Sequence, residues 1–426
     1  MRKLLLSLPL IAGNLPGLLL AVAGSLAWLL GGTSFYGPLF SILLPIATSI
    51  SPSKKLAFKT ALVYYLIGSV SINGAITGYY GPGHAVLSAA AWIGASAALA
   101  LPWTLGRSWL GRLFALTVTA VPPLGFIGWL SPLNAAGVMF PGAGFFGLAF
   151  LTTLLTCLPL SLTAAPATPK TTPKNSPAPM TPASIQWHLT LLLQIIAIYG
   201  ISNGFYTCLS SKKTAPPPAN WIALNTRLPP ARGNLQIIIA NKQTLIEAGQ
   251  AEPSARVIVF PEAVLDGWLP GTRQQFSLAV PSGQTWLIGA QMRLPRKPDT
   301  APTPTIKPVN AVVAVEQNTA RPEPVAVAAG LLLGGNWRPW SAEGLRPATQ
   351  HAFELAGERV WTSLCVEQLQ PWTWIQALSE NPSLILAISN SWWSTPNSYA
   401  PKIQIASAKA WALLMDRPIL FAINQP

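Results

Sequence analysis

A thiol and two carboxylates stand at the ends of apolar runs in this chain. The stretch Trp361-Thr-Ser-Leu-Cys-Val-Glu367 brings one run to a lone cysteine, with a glutamate two residues on. Upstream, Val257-Ile-Val-Phe-Pro-Glu262 delivers a second carboxylate from the end of another run. Cysteine and glutamate, each at the mouth of a buried strand, are the parts needed for thiol-based acyl transfer at a carbon–nitrogen or ester bond. Glu262 has to be paired or functional, because an unpaired buried charge is costly. Glu367 would project from an extended strand on the same side as the thiol, or sit as a solvated edge residue. On residue type alone, Cys365 also fits a small hydrophobe packed into a strand.

The elements that would carry these groups lie after Pro216-Pro-Pro218, where short apolar runs alternate with stretches of helical character. Leu235–Ala240 reads as a strand, Lys242–Gln250 as a helix and Arg256–Phe260 as the strand that leads to Glu262. Trp286–Ala290, Ala311–Glu316, Val360–Cys365, Ser383–Ser389 and Pro418–Asn424 read as further strands. Trp372–Leu378 and Lys402–Met415 read as helices, and Pro295–Pro308 as a polar loop. This mixture predicts a layered α/β body large enough for its own core.

The first half is a different polymer. The chain has 426 residues, half of them hydrophobic and only 9% charged, which sets it apart from ordinary soluble proteins. Apolar stretches recur near 4–30, 36–50, 56–79, 84–105, 113–131, 142–163 and 187–208, each near or somewhat below the ~20 residues that span a bilayer. Prolines inside them, such as Pro16 and Pro45, are tolerated in membrane bundles. The basic pairs Arg2/Lys3, Lys54/Lys55, Arg107/Arg112 and Lys170/Lys174 fall in alternate loops, while 31–36, 79–84 and 131–141 carry no Lys or Arg. That asymmetry predicts about seven spans, with residue 210 onward outside the cytoplasm; Lys212/Lys213 is the one pair on the wrong side. Pro- and Thr-rich Ala165–Pro182 reads as a flexible cytoplasmic connection. The expected organisation is a transmembrane domain at 1–210, a linker at 211–231 and an extracytoplasmic domain at 232–426.

Other chemistries find little support. The net charge of +14 is scattered between apolar runs and forms no basic stripe with interleaved aromatics, so nucleic acid is not an expected partner. Three cysteines make no disulfide framework. His84, His188 and His351 stand apart from one another and from the cysteines, so no metal and no cofactor is expected. The spans hold almost no ionisable residues away from their ends, which argues against a transporter.

Val-Ile-Val-Phe-Pro-Glu262, Leu-Cys365-Val-Glu367, Leu-Ile-Leu-Ala-Ile-Ser-Asn390-Ser-Trp-Trp393 and Asp-Arg417-Pro-Ile-Leu-Phe-Ala-Ile-Asn424 resemble, in that order, the successive blocks of the carbon–nitrogen hydrolase (nitrilase) superfamily. Behind a multi-span membrane half, this layout is similar to the apolipoprotein N-acyltransferases and closer still to the TraB-type conjugal transfer proteins. The resemblance implies a nitrilase-like αββα sandwich after a multi-span α-helical membrane domain. It implies Glu262 as general base, Cys365 as nucleophile, and a lysine ammonium as oxyanion stabiliser. Glu367, Asn390, Trp392 and Trp393 would line the acyl pocket.

The family's lysine is missing from its expected place. Asn310-Ala-Val-Val-Ala-Val-Glu-Gln-Asn-Thr-Ala-Arg321 offers Arg321 instead, and a guanidinium is not an isosteric substitute for an ammonium. Lys307 precedes the strand. Glu323 is displaced from the place of the family's second pocket glutamate. The chain stops at Pro426, where many relatives continue with a hairpin. Enzyme and scaffold therefore both stay open. As an enzyme, the protein would be a thiol acyltransferase or amidase at the outer face of the bacterial inner membrane. It would act on a membrane lipid or a membrane-tethered peptide or protein, with lipoprotein acylation as one version. As a scaffold, it would hold partners of the conjugation apparatus.

Overall fold

The computed structural model describes residues 8–163, 182–210, 214–292, 309–328, 351–395 and 397–425. The N-terminal region is helical: α1 (Leu8–Leu30), α2 (Tyr36–Phe40), α3 (Leu43–Ser49), α4 (Lys54–Gly68), α5 (Ser71–Tyr80), α6 (Ala85–Ala100), α7 (Trp109–Ala120), α8 (Ala135–Met139), α9 (Gly144–Thr163) and α10 (Pro182–Ser210). Among the described residues, two stretches are long and apolar enough to cross a membrane, Pro82–Leu105 with 24 residues and Thr190–Ser210 with 21. The pair α4–α5 makes a third if counted as one broken span, bent by 49°. Next to the break the Ser69 hydroxyl bonds back to the Tyr65 carbonyl at 2.5 Å, the kind of competition that bends helices.

The expected runs at 36–50 and 113–131 are not single spans. The first is split between α2 and α3, and the second stops at Ala120, ahead of Pro122-Pro123, which cannot continue a helix. Arg112, read as a loop charge, lies inside α7 at 1% exposure. Its guanidinium donates to the carbonyls of Leu155 at 3.0 Å, Gly106 at 3.0 Å, Arg107 at 3.2 Å and Thr156. Five N–H donors in one planar group make that burial tolerable. Arg2/Lys3, the connection at 165–181 with Lys170/Lys174, and Lys212/Lys213 lie outside the described residues.

The C-terminal region is mixed α/β: β1 (Trp221–Ala223), α11 (Leu235–Gln250), β2 (Val257–Val259), α12 (Pro270–Ala279), β3 (Thr285–Met292), β4 (Val309–Glu316), β5 (Thr319–Ala320), β6 (Ala326–Val327), β7 (Phe353–Leu355), β8 (Glu358–Leu364), α13 (Pro371–Glu380), β9 (Leu384–Asn390), α14 (Tyr399–Met415) and β10 (Ile419–Asn424). β1 lies inside the segment read as a linker and pairs in parallel with β2. The strand expected at Leu235–Ala240 is instead the first turns of α11. The Asn234 side chain caps that helix, accepting from the amides of Gln236 at 3.0 Å and Ile237 at 3.3 Å. A short β-branched apolar run fits either element by periodicity, and here the cap and the buried Leu245 and Ile246 further along favour the helix.

One sheet has the order β1-β2-β3-β4-β5, with β6 also on β4; the other has the order β10-β9-β8-β7. In the first, β1, β2 and β3 run parallel and β4 turns back against β3. In the second, β8, β9 and β10 run parallel. Val257, Val259, Leu287 and Val312 of the first sheet share a core with Leu364, Leu386 and Ile388 of the second. Alternate residues face away. Ile258 and Ile288 pack with Leu245 of α11 and Phe276 of α12. Trp361 and Ile385 pack with Trp374 of α13, Trp411 of α14 and the N-terminal helices.

The helical and α/β regions touch backbone to backbone. A Cβ on Gly137 would sit 1.7 Å from the Ala410 carbonyl oxygen, and one on Gly78 would sit 1.9 Å from that of Trp393. Gly142 donates its amide to Leu413 O at 2.8 Å, and Gln370 its side-chain amide to Phe126 O at 2.9 Å.

Candidate active site

Cys365 is the first residue past β8. Its φ of +48° is left-handed, which costs a non-glycine residue about 1–2 kcal/mol and survives only where its surroundings over-determine it. The chain turns there into a single 3-10 turn, Cys365–Leu369. Glu367, 1% exposed, holds the turn from inside: its carboxylate accepts the Leu364 amide at 2.7 Å. The Thr373 hydroxyl donates to the Glu367 carbonyl at 3.0 Å. The sequence placed Glu367 in the substrate pocket, and its carboxylate reaches the backbone of the turn that carries Cys365.

Glu262 is reached from the other sheet. Past β2, Phe260 donates its amide to Leu287 O at 2.8 Å, and Val264 donates to Gly289 O at 3.0 Å. The loop between them lies flat on β3, and Ala263 takes a φ of +47°. Only a glycine at 289 permits this. A Cβ there would stand 2.2 Å from the Pro261 carbonyl oxygen and 2.6 Å from the Glu262 Cα.

The Glu262 side chain is 4% exposed and accepts the Asn310 side-chain amide at 2.6 Å. Its backbone carbonyl accepts the Asn390 side-chain amide at 3.0 Å. Asn390 is fixed in turn by Asn424, whose amide donates to the Asn390 Oδ1 at 2.9 Å. The Asn424 Oδ1 accepts from the Thr226 hydroxyl at 2.8 Å and the Leu228 amide at 2.7 Å. The ends of β9 and β10 thus lock the carboxylate's backbone in place.

The two candidate groups come together. The Cys365 thiol lies close enough to the Glu262 carboxylate for each to shift the other's titration, with the Val366 backbone amide and the Gln404 side chain acting on the thiol from the same neighbourhood. Burial pushes Glu262 from an ordinary 4.5 up to about 7, against the bonds from Cys365, Asn310 and Asn390. Burial, and then the adjacent carboxylate, push the Cys365 thiol well above the usual thiol range. The resting pair is thus a neutral thiol beside a carboxyl group that changes charge near neutrality. Such a pair can pass one proton between sulfur and oxygen.

Trp392 and Trp393 follow Asn390 at the rim. Trp392 donates its amide to the Asn390 Oδ1 at 3.4 Å, and the Trp393 indole donates to the Asn390 carbonyl at 3.0 Å. α5 ends against them, with the Tyr79 ring 5.4 Å from that of Trp392. Tyr79 is within electrostatic reach of Glu262, Cys365 and Arg232. Arg321 follows β5 and is exposed, and its backbone carbonyl accepts the Trp268 indole at 2.9 Å. The groups that shift Glu262 and Cys365 do not include it. Lys307 lies outside the described residues, and among those described no three His, Cys, Asp or Glu side chains are grouped to hold a metal ion.

Sequence reasoning missed Asn310, Gln404, Arg232 and Tyr79, and gave Asn424 no role. A lone asparagine at the start of the Val/Ala-rich β4 is the same signal that singled out Glu262. Gln404, Arg232 and Tyr79 carry no local signal, because other elements bring them to the thiol.

No family model matches the chain. It is 27% identical over 443 aligned positions to the conjugal transfer protein TraB of Agrobacterium fabrum, covering 96% of this chain and 92% of that protein. It is 24% identical over 429 positions to the probable conjugal transfer protein TraB of Sinorhizobium fredii, covering 95% and 96%. Among solved structures, glutamine-dependent NAD+ synthetase from Acinetobacter baumannii aligns with 40% of this chain and 32% of its own, at 19% identity and a TM-score of 0.29, too slight a likeness to bear on the fold. Over nearly its whole length, this chain is similar to proteins named for conjugal transfer.

Proposed function

We propose that this chain is a membrane-anchored, nitrilase-like protein of the TraB type that serves conjugal transfer, with a thiol acyltransferase or amidase site in its C-terminal region. In this reading residues 1–210 are the membrane domain, 211–231 the connection, which also gives β1 to the first sheet, and 232–426 the rest of an αββα sandwich on the periplasmic side of the bacterial inner membrane. The observation that carries the chemical part is the meeting of Cys365 and Glu262, brought within electrostatic contact by two left-handed backbone turns, at Cys365 and Ala263, from different sheets. Similarity to the two TraB proteins supports the conjugal role.

The ionised Glu262 carboxylate takes the proton from Cys365 Sγ as the sulfur attacks the carbonyl carbon of an amide or ester. The tetrahedral intermediate collapses to a thioester, and the leaving amine or alcohol departs with the proton from Glu262. An acceptor amine, or water, then gives a proton to Glu262 and attacks the thioester, which restores the thiol. Asn390, Trp392 and Trp393 wall the pocket, and Glu367 keeps the nucleophile's turn. Arg321 holds the lysine's place in the chain, and its guanidinium would have to swing toward Cys365 when substrate binds. A membrane lipid or a membrane-tethered peptide or protein is the acyl donor this placement favours.

The test is covalent trapping on the full chain in detergent. p-Nitrophenyl butyrate should acylate Cys365 and spare Cys208, and Glu262→Gln should slow acylation at least a hundredfold, the size of a general-base contribution. Equal labelling in that variant removes the base from the reading. A second reading, an inactive scaffold of the conjugation apparatus, is favoured by the absence of the family lysine from its expected place and, among the described residues, of a cation among the groups that shift the thiol. It expects Cys365→Ala to leave plasmid transfer intact and deletion of 211–426 to abolish it.

A further inference from the structure

The rim of the site carries a cation that the proposed chemistry does not use. Ala231–Asn234 is a tight turn, closed by the Asn234 amide on the Ala231 carbonyl at 2.8 Å. Within it Arg232 takes a φ of +45° and Gly233 one of +81°. Glycine adopts that backbone freely, whereas arginine there is strained. The strained turn sets the guanidinium over the Trp392 indole, with Cζ 5.0 Å from the ring centroid. The same indole meets Tyr79 of α5, so one stack joins the 231–234 turn, the loop after β9 and the helical region. Among the described residues Arg232 has no carboxylate partner and no hydrogen-bond acceptor.

A guanidinium resting on an indole face keeps the N–H groups of its edge free, in the fork geometry that matches a carboxylate or a phosphate. The thiol and the carboxylate lie within electrostatic reach of the same Tyr79 that is in reach of Arg232. Trp392 is two residues from Asn390, which holds the Glu262 backbone.

We infer that Arg232, stacked on Trp392, is an anion-recognition residue of this site, one that selects acyl donors bearing a carboxylate or phosphate near the scissile carbonyl. The inference rests on the acyl-transfer reading above. Arg232 takes no part in bond making. It anchors the donor so that the acyl carbon comes to Cys365, and a neutral donor gains nothing from it.

The experiment compares two activated esters on the full chain in detergent: neutral p-nitrophenyl butyrate and anionic mono-p-nitrophenyl succinate. Acylation of Cys365 is followed by mass spectrometry. Arg232→Gln should lower the rate with the succinate ester at least tenfold and leave the butyrate rate within about twofold, which also reports that the variant is folded. Equal losses with both esters, or none with either, overturn the inference. If neither ester acylates Cys365 in the unaltered protein, the acyl-transfer reading falls, and modification of Arg232 by phenylglyoxal decides the anion site by itself. Slower modification in the presence of monomethyl succinate or methyl phosphate supports it, with the two anions separating carboxylate from phosphate preference. Unchanged modification with both overturns it.

Discussion

Burial gives Glu262 two opposed consequences as pH rises. Its carboxyl is held at about 7 against an ordinary 4.5, so between those values the folded chain binds more protons than the unfolded one. Stability therefore falls as pH rises through this window, by up to about 3 kcal/mol once the carboxylate is fully ionised. Glu262→Gln removes the titration and keeps an oxygen for Asn310. Its melting temperature should exceed that of the unaltered protein by a margin that widens from pH 5 to pH 8. A margin that stays constant would mean that burial is not the source. Under the acyl-transfer reading, catalysis runs the other way, because only the ionised carboxylate takes the thiol proton. Cys365 acylation should climb about tenfold per pH unit below 7 and level off above it. The site would thus be least stable where it is most reactive.

At the scale of elements, β3 works as a flat bed for the Glu262 loop, and Gly289 is what keeps it flat. Neither side of the contact can move away, since β4 pairs with β3 from Thr285 to Met292 and the loop is bonded to β3 at Leu287 and Gly289. Gly289→Ala should cost about 1–3 kcal/mol and slow Cys365 acylation by shifting Glu262, as overpacking does. Gly271→Ala, in the open first turn of α12, should do neither; thermal unfolding and ester trapping compare the two. The strands that carry Glu262 and Cys365 were legible in the sequence, because buried parallel strands read as unbroken apolar runs. The second half of α11 was legible too, but its first turns were not, since the β-branched start of that helix mimics a strand and only Asn234 marks it as capped. The fixing of Glu262 by Asn310, Asn390 and Asn424 was also hidden. It depends on register between strands far apart in the chain, which no local pattern encodes.

Across the whole molecule, the helical and α/β regions share a core that includes Trp374 and Trp411, and at glycines their backbones meet directly. Gly137 leaves α8 and the α14 backbone in direct contact at Ala410. Gly137→Leu should force the two apart, speeding proteolysis within 214–231 and lowering the melting temperature. A digestion pattern matching the unaltered protein would show that the contact yields without cost. Gly78 is another such joint, and it has a mechanical side. α5 is the short arm of the bent α4–α5 pair, and its far end presses on the Trp393 carbonyl with no slack. A stiff pushrod of this kind passes displacement on directly. Any shift of α5 would therefore reach the Trp393 loop, and through it the Asn390 side chain that holds the Glu262 backbone.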